Sequence, residues 1–405
     1  MDYLSRQKNI MSKSIIFLSD SLPLGGTATF LINIFEGFSK TSNWIPQAAV
    51  LKSLGDVALQ MNDLGLKVIS PNPSSLLHEE IIEDIYKQLS SYSPRAVVAS
   101  IGGSSFDFLR FVPKDCLRIG MIHSDEEGVY RLVKRYLPWL DIIVGVSTEI
   151  YNKTLVLTKG TQTSVAKISY GVPMPKTKVI KTFNKKLRVL YLGRVIEEQK
   201  RISILSKVMR RTIECNLDIS WTIAGSGPDL PSLMNEFSAN SSCIKFLGSV
   251  PYSAVPNLLS QHDVYFLCSD YEGLPLSMLE AMGAGLVPVV SDLASGISEV
   301  VNSCNGVRVP IDNEDDYFTA INRLLEDPSR CASLSVNAAH DVMDKYSIEA
   351  MTSKWMNLLD DNISAKNPAW SGGIKASVPP DVGMHWYYHP WMRPIRHFRK
   401  KVISN

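Results

Sequence analysis

The sequence predicts an α/β protein of two Rossmann-like, doubly wound parallel-sheet domains facing a central cleft. Three observations predict it. Short apolar runs alternate with helical patterns almost from end to end. Most of these runs are continuously apolar rather than alternating, as strands covered on both faces are. The series breaks once, at YGVPMPKTKVIKTFNKK (170–186), a stretch rich in Pro and Lys with no apolar periodicity. At 405 residues the chain is long enough for two separate cores.

The elements follow in order. Strands are expected at SIIFLS (14–19), QAAVL (47–51), KVI (67–69), AVVASI (96–101), RIGMI (118–122) and IIVGV (142–146). A second series comprises RVLYLG (188–193), ISWTIAG (219–225), IKFLG (244–248), VYFLC (264–268), VPVVS (287–291) and GVRVP (306–310). Repeated strand, helix, strand units imply parallel sheets with right-handed crossovers, about six strands in each half. The organisation read from this is an N-terminal extension (1–13), a first domain (14–175) and a second domain (186–346). A helix at 347–363 that crosses back to the first domain follows, then a linker and basic aromatic tail (364–405). In the tail, Trp386, Tyr387, Tyr388, Trp391 and Phe398 are interleaved with Arg393, Arg396, Arg399, Lys400 and Lys401. This pattern reads either as a disordered basic end or as a membrane-surface anchor through 385–401.

Composition narrows the function. A net charge of +2 argues against a whole-surface nucleic-acid or membrane binder. The six cysteines are scattered with no C-x-x-C pair or His/Cys cluster, which fits a reducing compartment and gives no metal signal. With no spanning-length apolar run and no secretory signal, cytoplasmic is the expected location.

Chemistry is expected at the strand ends. Gly25 and Gly26 follow the first strand and precede a helix opening at Thr27, so backbone N–H groups could approach an anion there. An ordinary tight turn is the alternative reading. After RVLYLG come Gly193, Arg194 and Lys200, two cations able to flank a diphosphate. Gly225 ends TIAG and again suits close backbone approach. The segment YEGLPLSMLEAMGAG (271–285) places Glu272 and Glu280 on either side of a helix start. Around Pro275, the expected first helical residue, Gly273, Leu274 and Leu276 expose backbone N–H groups. Carboxylates accept paired hydrogen bonds from vicinal diols, so one acid suits a ribose and the other a sugar.

Together, GGTATF, MIHSD, YLGRVIEEQKRIS, AGSGP, FLGSVP and EGLPLSMLEAMGAGLVPVVSD resemble glycosyltransferase family 4 over residues 14–345. These are retaining enzymes of GT-B fold with a Glu-x7-Glu signature. SGISEVV (295–301) resembles the family's GGIPEVV, with Ser295 and Ser298 as departures and Gly296 and Glu299 retained. The resemblance implies that the first domain faces the acceptor and the second binds a nucleotide-sugar. It implies that Glu272 contacts the donor sugar, Glu280 the ribose, and Arg194 and Lys200 the diphosphate. Gly26 would approach the donor phosphate, and His123 would help orient the sugar. His262 is expected to be structural.

The implied reaction transfers a hexose-type sugar from a UDP-sugar, favoured over a GDP-sugar, to a glycan or lipid-linked acceptor. Surface polysaccharide synthesis at the inner face of a membrane is the expected setting. No cofactor or metal is expected, because no Asp-x-Asp pair stands at a strand end. Two rivals share the fold: a nucleotide-sugar 2-epimerase and a non-catalytic binding subunit.

Overall fold

The computed structural model describes residues 13–22, 25–41, 43–55, 57, 61, 66–74, 77–175, 181–240, 242–377, 393, 396 and 400. Two parallel sheets organise it. The first contains β1 (Lys13–Ser21), β2 (Trp44–Ser53), β3 (Val68–Ile69), β4 (Ala96–Ile101), β5 (Leu117–Ile122), β6 (Ile142–Gly145) and β7 (Ser164–Lys167). Their order is β3-β2-β1-β4-β5-β6-β7. The second contains β8 (Leu187–Leu192), β9 (Ile219–Ala224), β10 (Ile244–Gly248), β11 (Val264–Leu267), β12 (Val287–Ser291) and β13 (Val307–Val309), in the order β10-β9-β8-β11-β12-β13. Each order reverses beside its first strand, between β1 and β4 and between β8 and β11. Such switch points open a crevice at the strands' C-terminal ends.

The first sheet has seven strands rather than the expected six. The extra one, β7, has the sequence SVAK and no fully buried residue. It is an edge strand, so it carries no apolar run to betray it. Two helix starts also differ from expectation. The helix expected at Thr27 opens at Gly26. The helix expected at Pro275 begins at Leu276. Pro275 has a helix-compatible φ of −66° but an extended ψ of 113°, so it caps the helix rather than entering it.

The apolar runs bury as continuous strands should. Ile15, Ile16, Phe17 and Leu18 of β1 are fully buried, and Phe17 packs on Phe35 and Trp355 at 5.7 and 5.8 Å. Trp355 belongs to the helix Ile348–Asn362, which lies on the first half of the molecule. Asp360 in that helix takes Lys13 at 2.7 Å and the Trp44 indole N–H at 3.1 Å. The second core centres on Trp221, Phe266 and Tyr317, with ring centroids 5.4 and 5.2 Å apart. Between the halves the chain passes twice, side by side: Val172 N–H donates to the Tyr346 carbonyl at 2.8 Å.

The stretch after the last helix is not a free linker. Trp370 packs on Tyr86 at 5.1 Å and donates to the Pro94 carbonyl at 3.0 Å. Arg95 donates to Asn367 at 2.7 Å, and Ala376 N–H to Glu83 at 2.9 Å. Beyond it, Arg393 makes a bidentate pair with Glu83 at 2.9 and 2.6 Å. Arg396 pairs with Glu79, both about 5% exposed. Both cations are thus paired with acids of this chain, Arg396 buried and Arg393 still about 26% exposed. Trp386, Tyr387, Tyr388, Trp391, Phe398, Arg399, Lys401 and residues 1–12 lie outside the described residues. Among the described residues no helix is long and apolar enough to cross a membrane.

Candidate functional site

A cavity of about 330 Å³ opens between the C-terminal edges of the two sheets. Every residue expected at the site lines it: His123, Arg194, Lys200, Glu272 and Glu280, with Gly25, Gly26, Gly193, Gly225, Gly273, Leu274, Pro275 and Leu276. They arrive on five strand ends. Gly25 and Gly26 follow β1, His123 follows β5, Gly193 and Arg194 follow β8, Gly225 follows β9, and Glu272 follows β11. Because β8 and β11 are neighbours, the two loops bearing most of the charge are adjacent.

Small side chains make this convergence possible. Gly225 has φ +147°, and a Cβ there would lie 1.8 Å from the Gly193 carbonyl oxygen. Gly273 is confined from both sides. A Cβ on it would lie 2.1 Å from the His123 carbonyl oxygen of the other half, while its own carbonyl accepts from Gly296 N–H at 2.7 Å. Gly25, with φ +151°, has open space where a side chain would be. Gly26 faces Leu276 across the cleft, at 3.8 Å from where its Cβ would stand.

The charged groups are partly paired among themselves. Glu272, 7% exposed, holds Lys200 through Oε1, which also accepts from the Ser269 hydroxyl at 2.7 Å. Arg194 donates to the Gln199 side-chain oxygen at 2.8 Å. Glu280 is different. It lies in the fifth position of the helix Leu276–Gly283 and no described group hydrogen-bonds its carboxyl. Burial pushes that carboxyl up to about 8 from its ordinary 4.5. An unpartnered acid beside a polar cavity is a binding group awaiting donors.

His123 is held on both sides. Its Nε2 lies 2.7 Å from Ser100 Oγ and its Nδ1 lies 2.6 Å from the Tyr170 hydroxyl, with the two rings stacked. Burial lowers its pKa to about 3, so the imidazole is neutral at physiological pH. His262 is satisfied by the Leu258 carbonyl at 2.7 Å and Thr222 at 2.8 Å, outside the cavity. Glu299 also stays outside: it joins the halves elsewhere, accepting from Thr148 N–H and from Lys167 at 3.0 Å. Among the described residues no group of three His, Cys, Asp or Glu could hold a metal. All six cysteines are free.

Sequence reasoning missed several lining residues, including Gln199, Tyr170, Tyr252 and Glu126. Gln199 carried a local signal, standing directly before Lys200. Tyr170 carried none, since its partner His123 is 47 residues away. Tyr252 reaches across the halves to Asn33 at 2.7 Å, a contact of 219 residues' separation.

Residues 186–327 match the family model described as "Glycosyl transferases group 1". Two of the chain's relatives in sequence serve as examples. One is the N,N'-diacetylbacillosaminyl-diphospho-undecaprenol alpha-1,3-N-acetylgalactosaminyltransferase of Campylobacter jejuni, 30% identical over 141 residues, which are 35% of this chain and 37% of that protein. The other is the O-antigen biosynthesis glycosyltransferase WbnH of Escherichia coli, 29% identical over 239 residues, which are 58% of this chain and 64% of that protein. The matches thus span between about a third and two thirds of these relatives' lengths. The fold is similar to that of a mutant S. aureus TarM solved with Fondaparinux, alpha-GlcNAc-glycerol and UDP. The TM-score is 0.72 at 13% identity, covering 86% of this chain and 100% of that one. The two facing sheets are the GT-B arrangement.

Proposed function

We propose that this chain is a retaining glycosyltransferase of family 4. In this reading it moves a sugar from a nucleoside-diphosphate sugar, a UDP-sugar before a GDP-sugar, to a hydroxyl of a glycan or lipid-linked acceptor. Surface polysaccharide synthesis is the setting, in keeping with an O-antigen glycosyltransferase and a diphospho-undecaprenol glycosyltransferase as relatives. One observation carries the proposal. Two acids and two cations meet in one cleft, and Glu280 there has no hydrogen-bonding partner among the described residues.

The roles follow from the arrangement. Glu280 accepts the ribose hydroxyls. Arg194 and Lys200 hold the diphosphate, which replaces Glu272 as the partner of Lys200. Glu272, released, accepts hydroxyls of the transferred sugar. In the reaction the bond from the anomeric carbon to the diphosphate oxygen breaks, and its electron pair leaves on that oxygen. The acceptor oxygen bonds the anomeric carbon on the same face, and its proton passes to the departing phosphate. The barrier is charge separation, and fixed cations aimed at the leaving oxygen lower it by roughly several kcal/mol. His123, neutral and fixed by Ser100 and Tyr170, borders the sugar end without competing as a cation. These cations serve where a metal otherwise would, so turnover is expected to persist in EDTA.

A thermal-shift screen of nucleoside diphosphates and sugar nucleotides tests this. A true donor at one hundred times its dissociation constant adds about 2.7 kcal/mol of stability. Lys200→Met should abolish most of the shift. No shift with any nucleoside diphosphate overturns the assignment, and an epimerised sugar nucleotide formed without acceptor would replace it with an epimerase.

A further inference from the structure

We infer that Gln199 is a positioning residue, fixing the Arg194 guanidinium toward the diphosphate; this rests on the reading of Arg194 given above. Gln199 is 8% exposed, whereas Arg194 is exposed to the cleft. One amide spans the two charged loops. Its oxygen accepts from Arg194 at 2.8 Å, and its nitrogen donates to the Tyr271 carbonyl at 3.2 Å. The main chain adds a second tie, with Asp270 N–H donating to the Gln199 carbonyl at 2.9 Å.

The chemistry of the amide is specific. A guanidinium only donates and a carbonyl only accepts, so the amide has a single productive orientation. Methionine, of similar length, offers neither bond. Without Gln199 the long Arg194 side chain would sample many rotamers, and ordering it would fall to the ligand. The backbone tie also sets the neighbouring Lys200 beside Glu272. Gln199 thus aligns both cations against the loop that carries the sugar-side acid.

Calorimetric titration of the full chain with UDP and GDP, each beside its own nucleoside, tests this. Gln199→Met should weaken diphosphate binding about tenfold, a loss of about 1.4 kcal/mol. Binding of the matching nucleoside should be unchanged. Arg194→Met should weaken diphosphate binding as well, and the double variant should be no weaker than Arg194→Met alone. Losses that multiply, an equal loss for the nucleoside, or wild-type binding by Gln199→Met while Arg194→Met is impaired would each overturn the positioning role alone. Wild-type diphosphate binding by Arg194→Met would instead overturn the reading of Arg194, and the role of Gln199 with it.

Discussion

Glu272 and Glu280 share one helix start, yet their surroundings separate them. Glu272 is paired with Lys200 and Ser269, while Glu280 faces the cavity without a described partner and is pushed by burial to about 8. Since the folded value lies above the ordinary 4.5, the folded state holds this proton more tightly than the unfolded chain. Its contribution to stability is therefore full below the ordinary value and declines as pH rises to about 8. With its carboxyl pushed up to about 8, Glu280 is expected to be mostly protonated at pH 7. A vicinal diol donating both hydroxyls needs the carboxylate, so nucleoside binding should expel close to one proton at pH 7 and none at pH 9. Uridine is the useful probe because it has the ribose and no phosphate. Titration in buffers of different ionisation enthalpy reads the proton directly. Glu280→Gln should bind with no proton release, and wild-type binding without release would remove the carboxylate from the ribose. The spacing of the two acids was legible in EGLPLSMLE, because strand end and helix turn fix where each side chain stands. Their unequal pairing was not, because Lys200 is 72 residues from Glu272.

At the scale of elements, the continuous apolar strands were readable because burial on both faces demands an unbroken run. What escaped were pieces whose contacts are polar and distant. The strand Ser164–Lys167 is one, and the segment after residue 363 is the other. NPAWSGG and the basic tail show no sign that Trp370 will dock on Tyr86 or that Arg396 will bury against Glu79. Read alone, the basic tail suggested either a disordered end or a membrane-surface anchor; folded, two of its arginines answer acids on the helix His78–Ser90. Burial raises the Glu83 carboxyl, but the Arg393 hydrogen bonds and the Ala376 N–H outweigh it and hold its pKa below the ordinary range. Removing one member of a buried pair strands the other charge, at a cost of roughly 3 kcal/mol. Arg396→Ala should therefore lower the melting temperature by roughly 6–12 °C. Adding Glu79→Gln should restore part of that loss. An Arg396→Ala protein that melts like the wild type would show the pair to be hydrated and energetically idle.

Across the whole molecule, the main chains of the two halves come close where Gly273 passes the His123 carbonyl. Behind it, Gly296 occupies the space into which the loop could retreat: its N–H donates to Gly273 at 2.7 Å, and a Cβ on Gly296 would lie 2.6 Å from that carbonyl. Three backbone segments are thus stacked with no room for a methyl group. The division into two halves could be inferred from the two strand series. This contact could not, because GLP alone does not say what the glycine touches. Gly273→Ala would place a Cβ about 2.1 Å from a carbonyl oxygen of the opposite half. Main chain, unlike the end of a flexible side chain, yields only by moving a whole segment, typically at a cost of roughly 1–3 kcal/mol. The expected response is to part the halves at the cleft, straining cross-half contacts such as Tyr252 to Asn33. Small-angle scattering should then report a larger radius of gyration for Gly273→Ala than for the wild type. The cations of the second half would still meet a diphosphate, so UDP binding should weaken by less than about tenfold. Transfer needs both halves at once and should fall by about a hundredfold or more, because misplacing reacting groups by about 1 Å costs that much. Unchanged scattering with wild-type transfer would mean that the stack can absorb a methyl group and does not set how closely the halves meet.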